Sequence, residues 1–278
     1  MTYGWAILII AVVLGVLFQL GVFSGSALTP KAAPGACQVV RLGGQVSLEG
    51  ECQGQLPQYV AQSLGGSSSL SEISVQPSST LLSVNTQNAF TVALWFRTTN
   101  PSSSQTIFTT YYDEIRLGAS STLFPYVDFG THNDRFSGGS PALGKWYFLA
   151  ITKDTGGNGV IYINGTQDGG TLTGLPAVSV GNNSPLIGIG YEIYGGANNN
   201  RVYGSIANVQ FYNTSLSSNE IKALYLEGIG GAPVRIQSLV GWWPLNGNAN
   251  DYSGNNNNGQ ISSNITFNST WNAQYTPP

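Results

Sequence analysis

The sequence predicts a mainly β protein, an antiparallel β-sandwich preceded by one long apolar N-terminal α-helix. Three observations predict this class. From residue 56 onward, short alternating or β-branched runs are separated by clusters of glycine and asparagine, which are typical turn residues. Glycine contributes 36 of the 278 residues, while charged residues make up only 8%. No residue before Lys31 is charged, and the stretch Tyr3–Phe23 is almost entirely apolar.

The composition excludes several classes of function. The formal net charge is −3 and no run of basic residues occurs, which argues against nucleic-acid binding and against electrostatic attraction to anionic lipid. The single histidine, His132, argues against a histidine-rich metal site and against a histidine-based catalytic triad. The polar residues are mainly serine, threonine, asparagine and glutamine, which is typical of a secreted β-rich protein.

The apolar segment 1–23 is long enough to cross a bilayer, because about 1.5 Å per residue lets it span roughly 30 Å. Three interpretations stay open: a cleaved secretory signal, a plain membrane anchor, and a helix that packs among copies of itself. Gly4, Ala11 and Gly15 are small residues near one helical face, and they permit close helix packing. Gln19 is costly in lipid but finds partners in a helix bundle.

The first 23 residues resemble the N-terminal helix of archaeal type IV pilin-like proteins, through the run YGWAILII and the uncharged Val/Leu tract after it. The resemblance implies that this helix lies in the membrane before assembly and then packs in the core of a helical homopolymer. The basic leader and the early glutamate of that family do not occur here. We therefore expect the sequence to begin inside the precursor or inside the mature N-terminus.

Residues 24–36 are predicted to form an extended linker, and residues 37–55 a disulfide-closed hairpin. The pair Gly43–Gly44 suits a two-residue turn with positive φ, flanked by two short apolar runs. Such a hairpin places Cys37 and Cys52, the only cysteines, side by side at its open end. In an exported chain a disulfide is expected, and two buried free thiols are the alternative.

The body of the chain, residues 56–278, shows strands and one predicted helix. The predicted strands begin at Phe90, Gln105, Thr122, Trp146, Val160, Pro185 and Val202. The one predicted helix covers Ser217–Ile229, since Ser217 and Glu220 form a capping-box pattern and Gly228 can end the helix. Trp95 and Trp146 lie in apolar strand patterns and are expected in the core.

Between about Tyr59 and Leu226 the chain resembles laminin G-like, concanavalin A-like jelly rolls. The resemblance is carried, in order, by FTVALWFR, GKWYFLAITKD, VIYINGT, LIGIG and GSIANVQFYNTSLSSNEIKALY. It implies a jelly-roll sandwich. In that family a W-P-L-x-G strand comes first, whereas here the segment 241–260 (GWWPLNGNANDYSGNNNNGQ) follows the closing unit. We interpret this as a circular permutation with the segment inside the sandwich, and a truncated second repeat is the alternative.

The sequence does not predict an enzyme. A retaining glycosidase needs two carboxylates about 5–5.5 Å apart, and a Glu-x-Asp-x-Glu strand would supply them. No such run occurs; the nearest pairs are Glu49/Glu51 and Asp113/Glu114. No serine lies in a G-x-S-x-G motif either.

Several residues are candidates for binding. Asp251, in a loop rich in asparagine, could hold calcium; alternatively it holds the loop through hydrogen bonds to the backbone. No other cofactor is predicted. Loop positions near one edge of the sandwich are candidate ligand contacts: Asp128, Asp134, Tyr191 and Glu192.

Two adjacent tryptophans and five glycosylation motifs complete the predicted sites. Trp242 and Trp243 are expected to point to opposite faces of a strand, one inward and one outward. The outward ring would stack on a sugar, pack on the linker or pack on another subunit. The asparagines of the N-x-S/T motifs are Asn164, Asn182, Asn213, Asn264 and Asn268.

These observations together predict the structural subunit of an extracellular, archaeal pilus-like filament. The helix would form the filament core, and the lectin-like sandwich would be displayed outward for adhesion to surface carbohydrate. The alternative is a monomeric, membrane-anchored carbohydrate-binding protein, and a secreted glycosidase relative is a distant third. The expected location is the cell surface, with insertion in the membrane before assembly. The expected partners are copies of the chain itself and carbohydrate, and not nucleic acid.

Overall fold

The computed structural model describes residues 9–14, 31–32, 36–53, 55–64, 72–100, 105–111, 115–119, 125–129, 132–135, 142–177, 180, 186–191, 193 and 201–278. In this part of the chain the strands are β1 (Lys31–Ala32), β2 (Cys37–Leu42), β3 (Gln45–Gly50), β4 (Leu56–Pro57), β5 (Val60–Leu64), β6 (Ile73–Val75), β7 (Phe90–Thr98), β8 (Gln105–Thr110), β9 (Arg116–Ala119), β10 (Pro125–Phe129), β11 (His132–Arg135), β12 (Tyr147–Lys153), β13 (Gly159–Ile163), β14 (Thr166–Gln167), β15 (Ile187–Ile189), β16 (Tyr203–Tyr212), β17 (Leu239–Trp243), β18 (Gly259–Ile261) and β19 (Ile265–Asn268). The helices of the body are α1 (Ser79–Gln87) and α2 (Ser218–Leu226), with 3₁₀ turns at Ile236–Ser238 and Trp271–Gln274.

Two large sheets form the predicted antiparallel sandwich. The seven-stranded sheet has the order β11-β10-β9-β8-β15-β6-β18. The eight-stranded sheet has the order β14-β13-β12-β7-β16-β5-β19, and β17 pairs with the far half of β16. Every strand pair within these two sheets is antiparallel. The sandwich predicted from the sequence is therefore confirmed.

The core lies between the two sheets and follows the alternation of the strands. Phe90, Val92, Leu94 and Phe96 of β7 all belong to it, as their spacing predicts. The seven-stranded sheet contributes the facing side chains, among them Phe108, which lies 5.5 Å from the ring of Phe211. Burial of these aliphatic and aromatic side chains supplies the driving force for closing the sandwich.

A second apolar cluster covers the outer face of the eight-stranded sheet. Ile221 and Leu224 of α2 pack there, together with Trp271 and Tyr275 of the C-terminal segment and Val39 of the hairpin. The predicted capping box of α2 is present, because Ser217 Oγ accepts from the Glu220 backbone and Glu220 accepts from the Ser217 backbone. This face of the sandwich is thus closed by an additional layer.

Helix α1 was not predicted, and the expectation of a single body helix is wrong. Its sequence, STLLSVNTQ, contains threonine and valine and has no strong apolar periodicity. The ends explain why it forms: Ser78 Oγ accepts from the Leu81 N–H, and Asn88 ends the helix with φ 49°. Leu81 and Val84 are fully buried in the core, so tertiary packing selects the helix.

The hairpin of β2 and β3 forms as predicted. Gly43 and Gly44 have φ values of 57° and 83°, which only glycine adopts readily, and Cys37 is bonded to Cys52. The hairpin is also fastened to the sandwich: Arg41 donates from Nε to Ser253 O (2.9 Å) and from Nη2 to Ile236 O (3.0 Å). The predicted linker contains the short strand β1, which pairs in parallel with β4.

The segment 241–260 is part of the sandwich. Its first residues extend β17, which pairs with β16, and its last residues begin β18, which pairs with β6 in the other sheet. The segment therefore crosses from one sheet to the other. The circular permutation itself stays a prediction, because the position of the segment does not show its evolutionary origin.

Of the predicted helix 1–23, the structure describes only residues 9–14. These six residues are helical and all of them are exposed. The rest of that prediction, including Gly4, Gly15 and Gln19, lies outside the described residues. In the part of the chain that is described, no helix combines the length and the apolar character needed to span a membrane.

Candidate functional site

A continuous row of residues crosses all seven strands of the seven-stranded sheet. Strand pairing joins these positions directly, one per strand, in the order Gln260, Ser74, Gly188, Thr109, Arg116, Asp128 and Asn133. No residue of the row is a large apolar one. We call it the polar row.

The polar row belongs to the outer face of its sheet. The neighbouring row, one residue along each strand, contains Ile73, Ile189, Phe108, Leu117 and Val127, all of which lie in the core. Since successive residues of a strand face opposite sides, the polar row faces away from the core. Its residues are therefore not needed to fill the interior.

Arg116 links the polar row to a second outer position. Its Nε donates to Thr106 Oγ1 at 3.1 Å, and Thr106 pairs with Gly118 on the adjacent strand. Arg116 is half-buried, as is Ser74, and Gln260 at the end of the row is exposed. Thr106 and Thr109 are buried, so Arg116, Ser74 and Gln260 are the members of the row that have described exposure to solvent.

The chain after β15 crosses the middle of the polar row. A Cβ atom at Gly188 would lie 2.9 Å from Tyr191 Cε1 and 3.0 Å from Ile193 Cγ1, so only glycine allows this close approach. Tyr191 is 4% exposed, and its hydroxyl has no hydrogen-bond partner within the described structure. Burial, together with the charge of Glu72, raises the pKa of Tyr191 well above its usual range, which keeps the phenol protonated.

Tyr191, a candidate ligand contact in the sequence, is thus not open to a ligand. Its ring is packed on the sheet and its hydroxyl is buried as well. Beside it, Arg201 and Glu72 form an ion pair at 4.0 Å. Arg201 Nε is buried and makes no hydrogen bond to the described residues. Near the middle of the polar row, two hydrogen-bond donors thus have no partner among the described residues, but both are buried and closed to an external ligand.

The predicted ligand carboxylates lie at different register positions of the sheet. Asp128 pairs with Asn133 and Arg116, whereas Asp134 pairs with Val127, so the two residues belong to neighbouring rows. Both lie on strands, β10 and β11, and not on loops as expected. Glu192 lies outside the described residues. Only Asp128 of this group belongs to the polar row.

Asp251 holds its loop and is unsuited to calcium in this arrangement. Oδ1 accepts from the N–H groups of Trp242 (2.9 Å) and Ser253 (2.8 Å). Oδ2 accepts from Ser253 Oγ (2.8 Å) and from the Asn257 N–H (2.9 Å). Four donors occupy the lone pairs that a cation would need. In the described part of the chain, no three His, Cys, Asp or Glu residues are grouped as metal ligands would be.

The two adjacent tryptophans point to opposite faces of β17, as expected, and both are buried, so the outward ring is packed and not open to a sugar. Trp243 is fully buried between the sheets. Trp242 points to the outer face of the eight-stranded sheet, but it is 3% exposed because Val39 and Tyr252 lie in the layer that covers it. Its Nε1 donates to Asn208 Oδ1 at 2.7 Å. Neither ring can stack on a sugar, and Trp242 instead joins the hairpin to the sandwich.

A concave surface lies between the hairpin and the end of α2, with a volume of about 490 Å³. It is lined by Leu48, Gly50, Cys52, Gln53, Glu227, Ala232, Pro233 and Val234. Gln53 and Glu227 are its only side chains with amide or carboxylate groups, so it offers few directed hydrogen bonds. The polar row is the better candidate for recognition of a polar ligand.

The carboxylate pairs considered for hydrolysis lie elsewhere. Glu49 is on β3 and Glu51 directly follows that strand, away from the polar row, while Asp113/Glu114 lie outside the described residues. Of the glycosylation motifs, Asn164 lies in the β13–β14 turn and Asn213 follows β16. Asn264 lies between β18 and β19, Asn268 ends β19, and Asn182 lies outside the described residues.

The polar row was not predicted, although its residues were visible in the sequence. The polar positions in QTIFTT and the arginine of RLGA show that two strands carry hydrogen-bonding groups. The row itself depends on which strands become neighbours, and its members span residues 74 to 260. A local pattern does not contain that information.

One solved structure with a TM-score above 0.5 has a fold similar to this architecture. A candidate carbohydrate-binding protein from Bacteroides ovatus is 19% identical, with a TM-score of 0.61 over 83% of this chain and 65% of that chain. This chain thus spans just under two thirds of that protein. Lower similarity is found to a heptameric SAP-like pentraxin from Limulus polyphemus (12% identity, TM-score 0.48, 76% of this chain and 94% of that chain). The CBM40 module of the Ruminococcus gnavus IT-sialidase, solved with α2,3-sialyllactose, gives 15% identity and a TM-score of 0.42 over 56% of this chain and 95% of that chain.

Sequence comparison identifies the family. No curated protein matches the sequence. A laminin G-like family model, described as the concanavalin A-like lectin/glucanases superfamily, matches residues 71–222, which is just over half of the chain. This match includes β6 to β16 and most members of the polar row. The chain therefore belongs to the concanavalin A-like lectin/glucanase superfamily.

Proposed function

We propose that this chain is an extracellular carbohydrate-binding module that binds a glycan along the polar row. The observation that carries the proposal is the row itself, which places hydrogen-bonding residues on consecutive strands of one outer face. Sugar hydroxyls both donate and accept, so they suit a surface of hydroxyl, amide and guanidinium groups with few charges. Membership of a superfamily that includes lectins supports the same conclusion.

The dimensions of the sheet suit an extended ligand. Neighbouring strands are about 4.8 Å apart, so seven strands place the ends of the polar row roughly 29 Å apart. Arg116 supplies a charge-assisted donor at one side of the crossing chain, and Ser74 and Gln260 supply polar groups at the other side. A glycan would contact these groups successively.

The proposed role is binding and not hydrolysis. The polar row contains one carboxylate position, Asp128, and a retaining glycosidase needs two at about 5–5.5 Å. An extracellular location is part of the proposal, because the Cys37–Cys52 disulfide requires an oxidising compartment.

The test is the affinity of the full chain, in mild detergent, for an immobilised glycan array. Arg116→Ala removes the accessible guanidinium and should weaken binding about tenfold, the usual loss for one charge-assisted hydrogen bond. Lys222→Ala is the matched control, since it removes one positive charge from exposed α2 on the opposite side. Unchanged affinity of Arg116→Ala, or equal weakening by both variants, would contradict binding along the polar row. Absence of binding to every glycan would contradict the function itself.

A second proposal concerns the N-terminal segment, which we infer assembles copies of the chain into a filament. The specific observation is that residues 9–14 are helical and expose Ile9 (59%), Ile10 (58%) and Val12 (58%) to solvent. Exposed apolar side chains on every side of a helix need an apolar environment. Copies of the helix would supply it in a pilus-like filament, and lipid would supply it for a monomeric anchored protein.

Assembly and anchoring differ in their demand for small residues. Ala11→Leu and Gly15→Leu should abolish fibres in negative-stain electron microscopy because they block close helix approach, while membrane association persists. Val12→Leu is the matched control, since it enlarges an already large side chain and should leave fibres intact. Normal fibres from both bulky variants, or only dispersed membrane monomers from the native full chain, would establish the anchored monomer instead.

A further inference from the structure

We propose that Asn268 carries an N-linked glycan in the exported protein, and that Asn164 and Asn213 do not. The five motifs are equivalent in the sequence, but in the structure the carboxamides of these three asparagines have different hydrogen-bond partners. Asn268 presents a polarised, accessible carboxamide at the end of the edge strand β19. The other two hold parts of the fold together.

The Asn268 side chain is held by its own motif. Its Oδ1 accepts from the Thr270 N–H at 2.8 Å and from Thr270 Oγ1 at 2.9 Å. Neither contact uses Nδ2, the atom that is glycosylated. Two donors on Oδ1 withdraw electron density from the amide and make loss of an Nδ2 proton easier. Thr270 is exposed and Asn268 is half-buried, so the site is open to a large substituent.

Asn213 uses the atom that a glycan would need. Its Nδ2 donates to Ser83 Oγ at 2.9 Å, which ties the chain after β16 to helix α1. Because this contact is partly buried, a sugar on Nδ2 would push the helix away. The same atom cannot both carry a glycan there and leave this packing undisturbed.

Asn164 is held inside a tight turn. Its Oδ1 accepts from the Phe148 N–H at 3.0 Å, and its backbone has φ 49°. Tyr225 of α2 packs directly against the next residue, Gly165. A glycan at this position would meet the α2 layer, so modification would disturb the covered face of the sandwich.

The modification requires a donor that the cell supplies, a lipid-linked oligosaccharide phosphate. Nδ2 of Asn268 forms a bond to the anomeric carbon, and the bond between that carbon and the phosphate oxygen breaks. The phosphate leaves with the electron pair, and Nδ2 loses one proton to a base of the transferring enzyme. No oxidation or reduction is involved.

A glycan at Asn268 would protect the edge of the sheet. In the described structure β19 ends the eight-stranded sheet, with β5 as its partner, and Asn268 pairs with Val60. Unpaired edge strands invite association between sheets, and natural proteins block them with bulky or charged groups. Charged residues are only 8% of this chain, and Ile261 of β18, the end strand of the other sheet, is 42% exposed. A glycan would block the association of sheet edges, which the few charged residues of this chain do not prevent.

The test is mass spectrometry of the full chain, secreted by a host that carries out N-glycosylation. A co-expressed glycoprotein serves as a reporter, because glycan on its own motif shows that the host's glycosylation is active. Chymotrypsin cleaves after Phe267, which separates Asn264 from Asn268. The peptide Asn268–Trp271 should carry a glycan mass in the native chain and in Thr270→Ser, and should lose it in Thr270→Ala. The matched variant Thr166→Ala, which destroys the motif at Asn164, should leave the total mass unchanged apart from the substitution.

Two further results decide the proposal. Unmodified Asn268 beside an occupied reporter would overturn it, as would a glycan on Asn164 or Asn213. Light scattering tests the protective role, because Thr270→Ala should self-associate more than Thr270→Ser. Equal association of these two variants would overturn edge protection.

Discussion

The two outer faces of the sandwich are built in opposite ways. On the eight-stranded sheet, helix α2, the hairpin and the C-terminal segment bury an apolar cluster that includes Trp242 and Trp271. On the seven-stranded sheet, the outer face carries the polar row. A sandwich needs only its two inner faces to be apolar, so each outer face is free to take another role. Here one outer face is covered by an apolar layer, and the other carries a row of polar residues.

The largest effect is expected from removing the segment that joins both sheets. Truncation after Val240 deletes β18, β19 and most of β17. It would expose the core around Ile73 and also the apolar cluster that Trp271 covers. The truncated chain should therefore show no cooperative unfolding transition when it is monitored by circular dichroism. Truncation after Tyr275 is the matched control, since it removes only three exposed residues and should leave the melting temperature unchanged. A soluble Val240 truncation with a native melting temperature would show that the segment is dispensable.

The next largest effect should distinguish the two faces directly. Trp271 is fully buried on the covered face, lies 6.1 Å from the ring of Trp146, and donates from Nε1 to Pro57 O. Trp271→Ala should lower the free energy of unfolding by about 3–5 kcal/mol. Arg116→Ala on the polar face should lower it by about 1 kcal/mol or less. Similar losses for both variants in urea titrations would remove the contrast between the faces.

The disulfide tests whether the hairpin helps to stabilise the covered face. Cys37 and Cys52 are 15 residues apart, and closing a loop of that length contributes about 3 kcal/mol in the chain-entropy model. The double variant Cys37→Ser/Cys52→Ser should therefore lose up to about 3 kcal/mol of unfolding free energy. Arg41 would still hold the hairpin to the carbonyls of Ser253 and Leu239, so binding along the polar row should persist. An unchanged urea midpoint would indicate that the hairpin is stabilised by its docking alone.

The smallest effect concerns the pH dependence of the covering helix α2. Burial alone would raise the pKa of Glu220, but hydrogen bonds from Ser217 and from Arg235 outweigh it and hold the pKa below its usual range. A depressed carboxyl pKa stabilises the fold above the unfolded value of about 4.3, and this contribution is lost as the pH falls through the folded value. Glu220→Gln keeps the capping bond but not the charge. The melting temperature of this variant should therefore fall less steeply at acid pH than that of the native chain. The difference corresponds to a few tenths of a kcal/mol (~0.3 kcal/mol) in the free energy of unfolding. An identical acid limb in both proteins would show that Glu220 does not contribute.

Local sequence signals predicted those parts of the fold whose partners are close in the chain. The Gly43–Gly44 turn and its flanking runs specified the hairpin and hence the disulfide. The pair Ser217 and Glu220 specified the start of α2, and the alternation in β7 specified its buried face. Helix α1 was missed because its pattern is weak and its stability comes from burying Leu81 and Val84 in a core built by other strands.

The candidate site could be predicted only in its parts. Arg116 and the threonines of β8 were visible as polar strand residues, and Asp128 was singled out. The sequence did not indicate that Gln260 and Ser74 would continue the same row, since they come from strands far apart in the chain. It also suggested Tyr191 as a ligand contact, but that ring packs over Gly188.

By itself, the amino-acid sequence determined a mainly β sandwich, a disulfide-closed hairpin, a capped helix and a long apolar run at the N-terminus. These follow from side-chain period, turn chemistry and hydrophobicity, which act over a few residues. Only the tertiary structure decided that both Trp242 and Trp243 are buried and that polar residues align across seven strands. It also decided that the Asp251 carboxylate accepts hydrogen bonds from its own loop. The physical reason is that strand neighbours and covering layers are selected by packing of the whole chain, and that selection determines which side chains meet solvent.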